Sequence, residues 1–311
     1  MKYKLPKQRG CLRSPADNRR IMLGDISFTS DPLAPTFETG FDNEVKFGVL
    51  KREHQGSSLS CVGQGWSKYL EMLNQIETKK ITDLSARFIY AQIHLPNGCA
   101  FINDGANLCV KQGCAEESLI PSYDGMKNPT EDYMRLDGDI TDTVREKALK
   151  FQAKKYVWLD TSPTLTTTDW ENVRQIIWQF GGFVSGFQGH CMYATGYGKQ
   201  NNRNFIKFVN SYGEGSDIIY YGDVELYDIT FLVDLPNPPD KINMYKLIVL
   251  KGAKDVYAVN NGIKNLIING YTFEQGKQDG IWGGWSDIIS VEQTEFDSYV
   301  LGDVLVRVKN E

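Results

Sequence analysis

Hydrophobic positions recur at helical spacing in the first part of the chain and at strand spacing later. Val62, Trp66, Tyr69, Leu70, Leu73 and Ile76 fall three and four apart, predicting an amphipathic helix that opens at Cys61 with Ser60 as its N-cap. A second helical window holds Leu84, Phe88, Ile89 and Ala91 to Ile93 and stops at Pro96-Asn97-Gly98. A third runs from Ala106 to Gln112 and ends at Gly113. After a Pro- and Gly-containing passage (121–139), residues 141–152 read as helix, 156–159 as strand and 172–180 as the last helix. From Gly181 onward, aromatic and β-branched runs at 183–187, 191–197, 205–209 and 218–221 predict short strands. Helices followed by strands imply an α+β protein with its two halves segregated.

The flanks differ from this middle. Residues 1–42 carry scattered Pro and Gly and read as an extended lead-in to a main domain at 43–238. Leu235-Pro236-Asn237-Pro238-Pro239 is the most linker-like stretch. Beyond it, Asn261-Gly262 and Asn269-Gly270 sit between β-favouring runs and signal hairpins, so 239–311 is expected to be a small β-rich accessory module. Its Trp282-Gly283-Gly284-Trp285 aromatics are expected in a core rather than on a ligand platform.

Composition narrows the function classes. The 311 residues are 41% hydrophobic and 23% charged, enough apolar material for a sizeable core. A net charge of -5 without a Lys/Arg cluster argues against a nucleic-acid partner. No apolar run approaches membrane-spanning length. The basic start leads into no apolar stretch, so a secretory signal is not expected; the default location is cytoplasmic, with association to a virus particle as the other option. Six cysteines, three histidines and no Cys-x-x-Cys give little support to zinc, and neither metal nor organic cofactor is expected. Cys99, Cys109 and Cys114 either pair among themselves or are buried thiols.

A cysteine in the first turn of a helix meets unsatisfied N–H groups and the positive end of the helix dipole, both of which favour thiolate. Cys61 has that position. Gln55, six residues upstream, offers an amide N–H that, with the Cys61 backbone N–H, would receive a developing oxyanion. His190 enters a predicted strand, and Asn210 ends another, where its side chain can hold an imidazole in orientation. His190 and Asn210 lie about 130 and 150 positions beyond Cys61, the order and separation of a papain-type Cys–His–Asn site.

These motifs make the region from about Asn43 to Tyr221 resemble the papain-like cysteine peptidases. The carrying residues are Gln55-Gly56…Ser60-Cys61, His190 to Gly198, Asn210-Ser211-Tyr212-Gly213, and the middle stretch Asp104-Gly105-Ala106 to Glu117 with Pro121-Ser122-Tyr123. The resemblance implies a two-lobed fold, a helical lobe facing a β-barrel-like lobe, with a cleft that binds an extended peptide or protein substrate. It implies Cys61 as nucleophile, His190 as general acid/base, Asn210 as its orienter and Gln55 as oxyanion donor, acting through a thioester. The Cys61 sulfur and a His190 ring nitrogen are then expected within about 4 Å.

Several positions depart from the family pattern. Val62 replaces an aromatic, Tyr212 a tryptophan, and Ser58 a cysteine that normally forms a disulfide; only Gly186-Phe187-Gln188-Gly189 precedes His190 where a longer insertion is common. The wall on that side is expected to be trimmed. The lead-in is short for a folded inhibitory pro-domain, and none is expected. Two other readings use the same fold: a catalytically relaxed binding protein of a virion or surface assembly, working through 239–311, and a transamidase or peptidoglycan stem-peptide hydrolase.

Overall fold

The computed structural model describes residues 10–15, 21–23, 30–123, 129–159, 165–212, 216–223, 225–233, 246–251, 255–260, 263–267, 288–297 and 300–305. The chain divides into two compact units, Met1–Pro236 and Asn237–Glu311. The 235–239 linker, both Asn-Gly dipeptides and the Trp282–Trp285 stretch lie outside the described residues.

In the first unit the order is β1 (Cys11–Leu12), β2 (Phe41–Asp42), α1 (Asn43–Phe47), α2 (Cys61–Thr78), α3 (Ala86–Ile93), β3 (Ala100–Phe101), α4 (Ile102–Lys111), α5 (Glu131–Met134) and α6 (Asp142–Ala148). There follow β4 (Lys155–Leu159), α7 (Thr167–Phe180), β5 (Phe183–Phe187), β6 (His190–Gln200), β7 (Arg203–Val209), β8 (Ser216–Tyr220) and β9 (Tyr227–Val233). The sheet runs β4-β9-β5-β6-β7-β8, with β2 added against β6, and every pairing in it is antiparallel. The α+β arrangement read from the sequence is the one observed.

Helix α2 is the hub. Its expected apolar face is buried, but so are Gln64, Ser67, Lys68, Glu71 and Gln75 on the other faces. Helical lobe and sheet share one continuous hydrophobic cluster around it. A helix buried on all sides needs partners for its polar residues; most are supplied, though Gln64 Oε1 and Gln75 Oε1 are left without one. The Lys68 ammonium lies 2.8 Å from Glu71 and 3.3 Å from Glu53, and Gln75 donates to the Phe47 carbonyl. Gly65 lets the sheet close on α2: a Cβ there would stand 3.2 Å from the Cys191 sulfur.

Three expectations are corrected. Ser60 precedes α2, but its side chain makes no cap bond; its hydroxyl is shared with Ser58 at 2.7 Å instead. Helix α7 starts at Thr167 rather than Asn172, because Thr166 and Asp169 form a reciprocal capping box. Strand β9 was not anticipated, yet it is central, pairing with both β4 and β5. The lead-in is extended but packed: Phe41–Asp42 pairs with β6, and Arg174 donates to the carbonyls of Ala34 and Pro35.

The second unit is a five-stranded sheet in which β10 (Lys246–Leu250), β11 (Val256–Asn260) and β12 (Ile263–Ile267) run antiparallel. Strands β13 (Ile289–Val291) and β14 (Val300–Leu305) add in parallel at the two edges. The Asn260–Ile263 pairing is that of the expected hairpin. Helix α8 (Gln293–Asp297) sets Phe296 against Tyr257, beside buried Ile248 and Val291. Among the described residues no helix of the chain is long and apolar enough to cross a membrane.

Candidate active site

The four residues singled out in the sequence are brought into one region by two pieces of backbone. Cys61 begins α2. The 54–55 segment preceding it pairs with 211–212: His54 bridges Tyr212, and the Gln55 N–H donates to the Ser211 carbonyl at 2.7 Å. Ser211 also donates its hydroxyl to Gln55 Oε1 at 2.5 Å. Gln55 Nε2 carries two N–H bonds, and one is spent on the Ser58 carbonyl at 2.7 Å.

His190 opens β6 directly after a two-residue hairpin turn, Gln188-Gly189, with φ of +46° and +87°. Both central residues have positive φ, as the tight hairpin requires, and this turn is the whole wall where an insertion is common. Across the sheet Asn210 ends one residue beyond β7. His190 Nε2 and Asn210 Oδ1 are 2.9 Å apart, and since Oδ1 only accepts, Nε2 bears the proton. Asn210 donates from Nδ2 to the Asp217 carboxylate and accepts the Ser211 N–H at Oδ1. Tyr212 covers the imidazole, ring centroids 5.3 Å apart, and its hydroxyl is buried with no hydrogen-bond partner.

The other imidazole nitrogen, Nδ1, is buried and without a hydrogen-bond partner. His190 and the Cys61 sulfur, expected in near contact, are not hydrogen-bonded here. Both groups are neutral. Burial pulls the His190 pKa down to about 4, against a smaller upward pull from Asn210 and Asp217. Burial also pushes the Cys61 thiol well above its ordinary value, helped by the nearby Cys11 and partly offset by the backbone N–H groups of Cys191, Gly10 and Val62. The helix-tip position thus does not by itself yield a thiolate; water is missing from around it.

What excludes the water is the chain's own N-terminal segment. Residues 10–14 occupy the groove in which an extended peptide was expected. On the helical side Gly10 accepts the Ala100 N–H at 2.8 Å, β1 pairs in parallel with β3, and Asn103 donates to Ser14 Oγ at 3.3 Å. On the sheet side Cys11 donates to the Gly189 carbonyl at 2.9 Å, Ser14 N donates to Asp228 at 2.5 Å, and Arg13 pairs with Glu225. A Cβ at Gly10 would overlap the Leu59 carbonyl at 2.0 Å, so glycine is what allows this close approach. This strap was missed because two residues of strand carry no periodicity. Asp217 was missed too, since a single acid in a β-rich run has no local signature.

No disulfide joins any of the six cysteines, so Cys109 and Cys114 take the buried-thiol alternative, and Cys99 is half-buried. Among the described residues no cluster of His, Cys, Asp or Glu is arranged to hold a metal ion.

Sequence comparison finds no matching family model and no matching curated protein. Comparison of structures finds many. One is xylellain, a cysteine protease from Xylella fastidiosa, at 15% identity and TM-score 0.53 over 75% of this chain and all of that one. Another is the digestive procathepsin L2 proteinase of Tenebrio molitor larval midgut, at 16% identity and TM-score 0.54, covering 72% of this chain and 78% of that one. Procathepsin B S9 from Trypanosoma congolense matches at 14% identity and TM-score 0.50, over 68% and 82%. The first unit therefore has the papain-like cysteine peptidase fold. At such identity the likeness is one of fold, and the chemistry has to be argued from the site.

Proposed function

We propose that the chain is a papain-like cysteine peptidase, held in the described state by its own N-terminal strap. The observation that carries this is His190. Its Nε2–H is fixed on Asn210, while its Nδ1 lone pair is buried and unclaimed, in the fold where Cys61 heads the central helix. A structural histidine this deeply buried would have both nitrogens satisfied.

With the strap displaced, water and substrate reach the groove and the desolvation that keeps both groups neutral is relieved. Nδ1 takes the Cys61 proton, giving a thiolate–imidazolium pair. The thiolate attacks the peptide carbonyl carbon, and the oxyanion is received by the Cys61 backbone N–H and the remaining Gln55 N–H. His190 then returns the proton to the leaving amine, leaving a thioester that water hydrolyses with the same imidazole as base. Asn210, itself anchored on Asp217, keeps the ring from turning throughout.

The test compares wild type with Cys61→Ala under reducing conditions, after removal of residues 1–15. A peptide library and an electrophilic thiol reagent supply the readouts. Cleavage and covalent labelling should both be lost in the variant, by about 10⁵-fold for cleavage. Equal cleavage by the two proteins would overturn the assignment.

A further inference from the structure

The strap brings a thiol of its own to the site. Cys11 is 2% exposed, and Cys61 and Cys191 are 0% and 1% exposed. Cys191 follows His190 on β6 and points its sulfur at the Gly65 position of α2, one turn beyond Cys61. Cys11 is held beside the same hairpin by its bond to the Gly189 carbonyl, and the Tyr227 hydroxyl both accepts the Gly189 N–H at 3.1 Å and donates to the Cys11 carbonyl at 3.5 Å. After burial, the nearby Cys11 contributes most to raising the Cys191 thiol, so the two side chains are neighbours.

We propose that Cys11 and Cys191 form a reversible disulfide that fastens the strap across the groove under oxidising conditions. The other cysteines fit less well. In the parallel register Cys11 stands opposite Ala100, so Cys99, one residue earlier, projects to the other face of β3; it is half-buried where Ala100 is fully buried. Cys61 meets the strap at the backbone N–H of Gly10, one residue ahead of Cys11.

The strap is otherwise held by a few backbone and side-chain hydrogen bonds and an exposed ion pair, contacts that open and close without chemistry. Docking places the two thiols at high effective concentration. With a small-molecule disulfide as oxidant, the Cys11 thiolate attacks one of its sulfurs, forming a mixed disulfide and expelling one small thiolate. The Cys191 thiolate then attacks the Cys11 sulfur, forming the protein disulfide and expelling the second. Two protein thiols are oxidised, one small disulfide is reduced to two thiols, and the two protein protons end on those thiols. The burial that raises Cys191 makes the second step the slow one.

Only the consequence, an oxidised protein closed to substrate, rests on the peptidase reading; the bond itself is tested without activity. The full chain is incubated with oxidised glutathione, free thiols are alkylated, and a non-reducing digest is analysed by mass spectrometry. The expected product is the Cys11 peptide joined to the Cys191 peptide, lost on reduction and absent from Cys191→Ser. Recovery of Cys11 and Cys191 as separately alkylated or glutathionylated peptides, or of Cys11 joined to Cys61 or Cys99, would overturn the proposal. If the link forms, wild-type peptide cleavage should fall at least about ten-fold on oxidation and return with reductant. A linked protein that never cleaves peptide would instead count against the peptidase reading alone.

Discussion

Helix α2 carries two buried polar clusters that solve the same physical problem in opposite ways. Two turns into the helix, Lys68 is held between Glu71 at 2.8 Å and Glu53 at 3.3 Å, while Glu71 also accepts the Leu84 N–H at 2.9 Å. At the first turn Cys61 is fully buried, as is His190 at the start of β6, and neither makes an ion pair. The ion cluster offsets the cost of burial by mutual pairing, only in part for Glu71, whose pKa stands raised at about 7; Cys61 and His190 avoid that cost by staying neutral. Charges that are buried and paired hold a structure still. Groups that are buried, neutral and unclaimed are free to exchange a proton once solvent returns. The two clusters are also connected, since Glu53 is two residues before Gln55 and ties the 54–55 segment to α2.

Three measurements break or sharpen this contrast. Lys68→Met removes the cation paired with buried Glu71 and leaves Glu53 only Lys51 at 3.7 Å, and it should lower unfolding free energy by about 3–5 kcal/mol. Glu71, already raised to about 7 by burial with only partial relief from Lys68, should move further up, with the loss growing as pH rises above it. Denaturant unfolding at two pH values checks both statements. Unchanged stability would mean the cluster is no anchor.

The His190 side predicts the opposite pH dependence. Its pKa falls from the ordinary 6.5 to about 4 in the folded chain, so between those values the unfolded chain binds a proton that the native one refuses. Its contribution is intact above 6.5 and is lost on acidification toward 4, amounting to up to roughly 3 kcal/mol. Stability curves of wild type and His190→Gln should therefore diverge across that window. In a variant lacking the strap the NMR titration of His190 should move back toward 6.5. A ring that titrates near 6.5 with the strap in place would end the account of a dry, neutral pair.

The smallest effect concerns Tyr212, whose hydroxyl is buried with no hydrogen-bond partner. Tyr212→Phe keeps the ring over His190 and removes only the unsatisfied group. Thermal unfolding should show no loss and a gain of up to about 1 kcal/mol. A clear destabilisation would mean that the hydroxyl is engaged when the site opens.

Much of this protein was legible in one dimension. Helix α2 announced itself because packing against a sheet demands apolar residues every three to four positions, and its first residue followed from the pattern. Strands β5 to β8 declared themselves by aromatic and β-branched runs, and the motifs around Gln55, Cys61, His190 and Asn210 were visible because each is a compact local grouping. These features arise from short-range rules, which adjacent residues obey together. Strand β9 has aromatic and β-branched residues of its own but runs straight into the Pro-rich 235–239 stretch, which masks it, and α5 escaped because a one-turn helix held by Thr130 capping has no period to detect.

Tertiary structure alone decided the state of the site. Whether the helix-tip sulfur is thiolate or thiol depends on water, and water depends on which segment lies over it. The covering residues, 10–14, are some fifty positions from Cys61 along the chain and owe their place to contacts with Ala100, Gly189 and Asp228. Local sequence sets what a side chain is able to do. Its protonation, reach and cover are set by neighbours that only folding assembles, because desolvation and long-range hydrogen bonding have no counterpart in a linear pattern.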